Sequence, residues 1–240
     1  MTEAMTGSSI HELKLDNVQM RFGGFVAVAG VTETFAPGEL ICVIGPNGAG
    51  KSTLLNMICG TLTPTSGSIS FRETPIGGRA PEDIARLGIA RKFQVPSVFE
   101  SLSVIDNLRL AAPADAGEGW LADMLDKIHL SADRDVVGAD LPHGKKQWLE
   151  IGMALAMKPK VLLLDEPTAG LSIDETRDTA RFLKELEGRV TVIVIEHDMA
   201  FVRDLGARTI VLHRGAVLAA GPFEEIEHNE AVRNVYLGRS

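Results

Sequence analysis

A membrane-spanning run, an excess of positive charge and a cysteine framework are all missing from this 240-residue chain. No apolar stretch approaches the about eighteen residues that a spanning helix requires. The formal charge is -8, whereas a nucleic-acid footprint needs a basic stripe, so no nucleic-acid partner is expected. Only two cysteines occur, Cys42 and Cys59, with neither metal-ligand spacing nor disulfide-scaffold density. Both are expected to be small buried apolar residues. The opening MTEAMTGSSIHE has no basic and apolar regions of a secretory signal. A soluble cytoplasmic protein is expected, one that docks on something embedded. Internal repeats, low-complexity tracts and long linkers are absent too, and residues 1–10 are small and polar enough to be disordered.

What is present is a 45% hydrophobic chain, enough for one large α/β domain or a core with a smaller insertion. Short β-branched apolar segments at 40–44, 161–164, 190–195 and 208–212 alternate with helical stretches, the pattern of a largely parallel sheet flanked by helices. Segments 11–15, 25–34 and 67–72 instead look like strands joined by Gly/Pro turns, which predicts a separate antiparallel layer. Between about 95 and 157 strand signals vanish. Ser103 followed by Asp106 marks a helix start, and 119–130 and 145–157 carry apolar residues at helical spacing. A helical subdomain inserted into an α/β core accounts for this order.

The apolar segment 40–44 empties into Gly45-Pro46-Asn47-Gly48-Ala49-Gly50-Lys51-Ser52-Thr53. Glycines in such a turn let successive backbone N–H groups face a phosphate chain. Lys51 reaches the β- and γ-phosphates, and the Ser52 hydroxyl is offered to Mg²⁺. The helix that follows directs its N-terminal dipole at the same anion. A glycine-rich hairpin before an ordinary helix would also fit the glycines, but not strand, loop, Lys-Ser and helix in this order.

A second motif narrows the chemistry. Residues 161–164 run into Asp165 and Glu166, two carboxylates at the C-terminal edge of a buried strand. Asp165 is placed to hold Mg²⁺ through water, and Glu166 to polarise an attacking water. The strand 190–195 ends in Glu196-His197-Asp198, which presents His197 at the same edge, where it can sense a γ-phosphate. A nucleotide kinase would need an acceptor pocket, and a GTPase an Asn-Lys-x-Asp guanine reader that does not occur.

With these motifs in place the chain resembles the ATP-binding subunits of ABC transporters over nearly its whole length. GPNGAGKS resembles the Walker A loop, VLLLDE the Walker B strand with Glu166 as its catalytic carboxylate, Gln94 in RKFQ the Q-loop, and His197 the H-loop switch. The resemblance implies a P-loop NTPase: a RecA-like parallel core at 11–94 and 158–240, an N-terminal antiparallel layer, and a helical subdomain at about 95–157. It implies that Phe22 stacks on adenine, that Gln94 joins Ser52 and Asp165 at Mg²⁺, and that ATP is hydrolysed. The implied partners are transmembrane permease subunits, a second ABC ATPase and, indirectly, a periplasmic or extracellular solute-binding protein, with the chain peripheral on the cytoplasmic face of the plasma membrane. Within the family, residues 84–111 and 143–152 look most like the D-type subunit of urea importers, in the wider branched-chain amino-acid group. Urea or a short amide is the first expected solute, a branched-chain amino acid the alternative. Residues 95–103 are expected to contact the permease through Val95, Val98 and Phe99.

Two departures from the family pattern stand out. Its LSGGQ signature, which clamps the γ-phosphate bound by the opposite subunit, is here Leu141-Pro142-His143-Gly144-Lys145. Pro142 has neither hydroxyl nor N–H, and Lys145 is a cation where a neutral amide is usual. Losing one preorganised donor costs on the order of 10²-fold in rate, so the clamp is weak unless His143 or Lys145 compensates by charge. Pro142 also suits the start of a helix. At 169–172, Ser172 replaces the common Asp of a loop that speaks across the dimer. The machinery for the chain's own nucleotide is intact while the parts offered to the partner's are altered. A heterodimer with unequal sites is expected, with a homodimer left open, or a degenerate scaffold that binds ATP with little turnover.

Overall fold

The computed structural model describes residues 12–92 and 98–237. Gln94, Val95 and residues 1–10 lie outside them. The chain runs β1 Leu13–Phe22, β2 Phe25–Phe35, β3 Leu40–Ile44, α1 Lys51–Ile58, β4 Ser66–Phe71, β5 Thr74–Pro75, α2 Pro81–Leu87 and β6 Ile89–Lys92. It continues with α3 Val104–Ala111, α4 Glu118–Lys127, α5 His143–Ala156, β7 Val161–Asp165, α6 Ile173–Glu185, β8 Thr191–Ile195, α7 Met199–Leu205, β9 Arg208–His213, β10 Ala216–Gly221, α8 Phe223–His228 and α9 Glu230–Leu237.

Two sheets result. One is antiparallel in the order β2-β1-β4-β5, and the other has six strands in the order β10-β9-β3-β8-β7-β6. In the second, β9, β3, β8, β7 and β6 are parallel and only β10 pairs antiparallel, at the edge. The expected antiparallel layer and parallel core are both present. Covering both faces of the parallel sheet is what makes β3, β7 and β8 continuously apolar rather than alternating. Leu40, Cys42 and Ile44 pack on the helical side with α3–α7, while Ile41 and Val43 pack against α1 and the antiparallel layer. Each such Leu or Ile contributes roughly 1.5–3 kcal/mol on burial. Both cysteines are buried, as expected.

Residues 98–157 hold α3, α4 and α5 and no strand, only an isolated bridge between Ser103 and Val137. Ser103 caps α3 by accepting the Asp106 N–H, as its spacing predicts. Asn107, fully buried, pins the turn before this helix: it accepts from the Phe99 N–H at 2.8 Å and donates to the carbonyls of Phe99, Leu102 and Ser103. β6 and β10 were not anticipated from the sequence. Arg91 and Lys92 make β6 read as polar, and β10 is built from small residues with little β signal. Among the described residues no helix is long and apolar enough to cross a membrane.

The N-termini of α5 and α6 are tied together. Ser172 and Glu175 form a reciprocal capping box on α6, with the Ser172 hydroxyl accepting from the Glu175 N–H and the Glu175 carboxylate accepting from the Ser172 N–H at 2.9 Å. The same carboxylate accepts from the Gly144 N–H at 3.3 Å, in the first turn of α5. The Ser172 N–H and hydroxyl, then the Gly144 N–H, hold Glu175 below its ordinary value. A depressed carboxyl contributes stability above its unfolded value and loses it as pH falls through the folded one. Ser172→Ala should therefore cost about 1 kcal/mol at neutral pH, and the gap between urea melts of the two proteins should narrow as pH drops below the ordinary glutamate range, about 4, leaving the part due to the Glu175 N–H cap on the Ser172 hydroxyl. A gap of the same size at neutral and acid pH would contradict this account.

Candidate functional site

β3 ends at Ile44 and α1 begins at Lys51, so residues 45–50 must reverse direction within a very short loop. At Gly45 an added Cβ would lie 2.2 Å from the Leu212 carbonyl oxygen, and Gly48 adopts φ +78°. Gly50 precedes α1, and no side chain caps the helix, so the N–H groups of its first turn have no side-chain acceptor. That is a ready anion site. Lys51 is buried, and its ammonium donates to the carbonyls of Gly45 at 2.6 Å and Pro46 at 3.2 Å. Burial lowers its pKa, while the charges of Glu166 and Asp165 raise it.

The loop opens on a cleft of about 300 Å³ that gathers Phe22, Phe25, Asn47, Lys51, Ser52 and Glu166. Residues of the antiparallel layer, the phosphate loop and the acidic strand thus meet in one place. Phe25 was missed by the sequence reading. The signal was there: Phe22 and Phe25 flank Gly23-Gly24 and pair across the β1–β2 hairpin, both largely exposed. Two apolar rings left in solvent at a cleft mouth mark a stacking surface.

Asp165 closes β7 and pairs in register with Ile195 of β8. Its Oδ2 accepts from Arg91 Nη2 at 3.1 Å, whereas its Oδ1 is buried without a partner. Burial raises the Asp165 pKa, and Arg91 opposes the rise. A buried carboxylate oxygen without a partner suits a hard cation that keeps waters and shares its ligands with phosphates, as Mg²⁺ does. Among the described residues no group of three or more His, Cys, Asp or Glu could hold a metal alone. The fit to Mg²⁺ therefore depends on a nucleotide supplying the remaining ligands.

Glu166 adopts φ +48°, a left-handed conformation that costs a non-glycine residue about 1–3 kcal/mol. Its N–H is held by the Ile195 carbonyl at 2.9 Å, and its side chain enters the cleft. His197 Nδ1 lies 3.5 Å from Glu166 Oε1, with the imidazole largely exposed. Behind them stands Glu196, to which the sequence reading assigned no role. It is buried, accepts from the Thr168 hydroxyl at 2.6 Å and the Thr168 N–H at 3.0 Å through Oε1, and from the His197 N–H at 3.1 Å through Oε2. Burial raises its pKa, against those hydrogen bonds. Glu196 thereby sets the loop after β7 against the loop after β8.

The signature residues stand apart from this cleft. Pro142 is the N-cap of α5, so the helix starts at His143, in keeping with proline's suitability at a helix start. His143 Nε2 lies 3.1 Å from the Ala169 carbonyl oxygen. The Lys145 ammonium is gripped by both oxygens of Asp133, at 2.7 and 2.8 Å. The expected compensating cations are thus engaged within the chain itself. Of the expected permease anchor, Val95 lies outside the described residues, Val98 is buried in the core and Phe99 is exposed. A further cleft of about 380 Å³ lies between the sheet and α5, with Ile89, Ala111, Met153 and Met157 in its walls.

Comparison with known proteins agrees with this geometry. The ABC transporter family profile matches residues 28–169. LivG of Salmonella typhimurium, a high-affinity branched-chain amino acid transport ATP-binding protein, is 34% identical over 250 positions, covering 95% of this chain and 98% of that protein. BraF of Pseudomonas aeruginosa, named for the same transport, is 33% identical with the same coverage. The ADP conformation of an ATP-binding cassette of an ABC transporter superposes with a TM-score of 0.86 at 28% identity, covering 96% of this chain and 100% of that one. The motifs, the cleft and these relatives agree: the chain belongs to the ABC transporter family, as an ATP-hydrolysing ATP-binding cassette.

Proposed function

We propose that this cassette powers an importer of branched-chain amino acids, peripheral on the cytoplasmic face of the membrane and docked on transmembrane permease subunits served by a solute-binding protein. The relatives support that solute, since LivG and BraF both carry branched-chain amino acid names. Urea or a short amide, expected from residues 84–111 and 143–152, has no support from these relatives and becomes the second reading.

The observation that carries the catalytic part is the single cleft joining Phe22, Lys51, Ser52 and Glu166. Phe22 offers its face to adenine, with Phe25 beside it. Residues 45–53 wrap the phosphates with backbone N–H groups, and Lys51 exchanges its loop carbonyls for phosphate oxygens. Ser52 and Asp165, with Gln94, would hold Mg²⁺, which neutralises phosphate charge when bound. Glu166, fixed by its strained backbone, orients the attacking water, and His197 stands next to it where the γ-phosphate ends. Phosphoryl transfer asks mainly for this positioning and charge stabilisation.

The partner is proposed to be a different ATPase. In this chain the Gly144 N–H already meets Glu175 and Lys145 meets Asp133, which favours a weak contribution to the opposite nucleotide. The competent site would pair this chain's Glu166 with the partner's signature.

In the reconstituted transporter, Glu166→Gln should remove most ATP turnover and solute uptake, while Lys145→Ala changes turnover less than about threefold; equal losses would reject the asymmetry. Radiolabelled leucine uptake that exceeds urea uptake in the same vesicles supports the proposed solute, and the reverse order restores the urea reading. Phe22→Ala should weaken ATP binding by about 1–3 kcal/mol, roughly 5–160-fold, as read by titration calorimetry. Unchanged affinity would place adenine elsewhere.

A further inference from the structure

Strand β6 carries neighbouring cations that alternation sends to opposite faces of the sheet. Lys92 turns to α5, where it pairs with Glu150 at 3.1 Å and bonds to Gln147. Arg91 turns to α1 and β7. Its Nη2 donates to Asp165 Oδ2, and its Nη1 donates to Asn56 of α1 and lies 3.4 Å from Cys59 Sγ. Both partners of the Arg91–Asp165 pair are nearly out of solvent, at 10% and 2% exposure.

We propose that Arg91 is a positioning residue for the metal-binding carboxylate of Asp165, holding Oδ2 so that Oδ1 stays turned to the cation site. This rests on reading Asp165 as the Mg²⁺ carboxylate. A carboxylate is symmetric, and without a fixed partner on one oxygen it can rotate about its terminal torsion, which is broad rather than staggered. The guanidinium removes that freedom. It is planar, always charged and unable to accept, so it binds one oxygen without competing as a metal ligand. Asn56 holds the same guanidinium from the helix that begins at Lys51, so the phosphate loop's helix, the strand leading to Gln94 and the metal carboxylate share one hydrogen-bonded junction. A purely structural ion pair would need only Asp165 and Arg91. It would not account for the other oxygen left buried and unpartnered.

The roles separate by comparing Mg²⁺-dependent with metal-free binding on the full chain. Partners that orient a metal ligand typically change metal affinity about 10–100-fold when removed. Arg91→Gln should thus weaken binding of ATP in Mg²⁺ by about tenfold, and of Mn²⁺ read by electron paramagnetic resonance in the presence of ATP, while ATP binding in EDTA changes less than about twofold; Arg91→Lys should recover part of the loss. Equal weakening with and without metal, or no change in either, overturns the proposal. If Arg91→Gln does not fold, Asn56→Ala keeps the charge and frees one of its anchors. A smaller loss confined to the metal-dependent measurement is expected there, and its absence also overturns the idea. Asp165→Asn is the control for the underlying reading: if it leaves Mn²⁺ binding intact, Asp165 is not the metal carboxylate, whereas if it abolishes binding and Arg91→Gln does not, only the role of Arg91 fails.

Discussion

Parallel pairing of β3, β8 and β7 is the constraint on which the rest depends. With both faces of that sheet covered, these strands can carry only apolar side chains along their length, so polar chemistry is expelled to where they end. Their shared direction brings those ends to one edge. The phosphate loop, the Asp165–Glu166 pair and His197 are consecutive consequences of that edge rather than separate devices. The buried Glu196 adds the cross-link between loops, and Arg91 the cross-link beneath them.

Much of this was legible because the determining signals are local. A five-residue apolar run followed by a glycine loop and Lys-Ser leaves few conformations open, and strand limits such as Leu40–Ile44 agree with the run itself. Ser103 announced α3 by its capping geometry. The illegible parts depend on contacts distant in sequence. β6 reads as polar because Arg91 and Lys92 find partners 74 and 55 residues away. Phe25 looks like core until the hairpin places it outside. Val98 looks like an anchor until the turn pinned by Asn107 folds it inward. Glu196 reads as a solvated charge until Thr168 is brought against it.

The altered residues at the starts of α5 and α6 also acquire a physical meaning from packing. Read alone, Pro142, Lys145 and Ser172 are losses of function relative to a family pattern. In the fold each has an occupation: Pro142 begins a helix, Lys145 is tied to Asp133, and Ser172 closes a capping box whose carboxylate also reaches Gly144. Groups that a nucleotide on a partner subunit would require are thus stabilising this chain. Such contacts would have to rearrange for the chain to act in trans, just as Lys51 would have to leave the carbonyls of Gly45 and Pro46 to meet a phosphate in the chain's own cleft.

The most direct measurement is a crystal structure of the chain with Mg²⁺ and a non-hydrolysable ATP analogue. The account predicts the triphosphate inside residues 45–53, the Lys51 ammonium moved from its loop carbonyls onto the phosphates, the cation within water-bridged reach of Asp165 Oδ1, and adenine against Phe22. A nucleotide bound away from this cleft, or Lys51 still closed on Gly45 and Pro46 with nucleotide present, would contradict it.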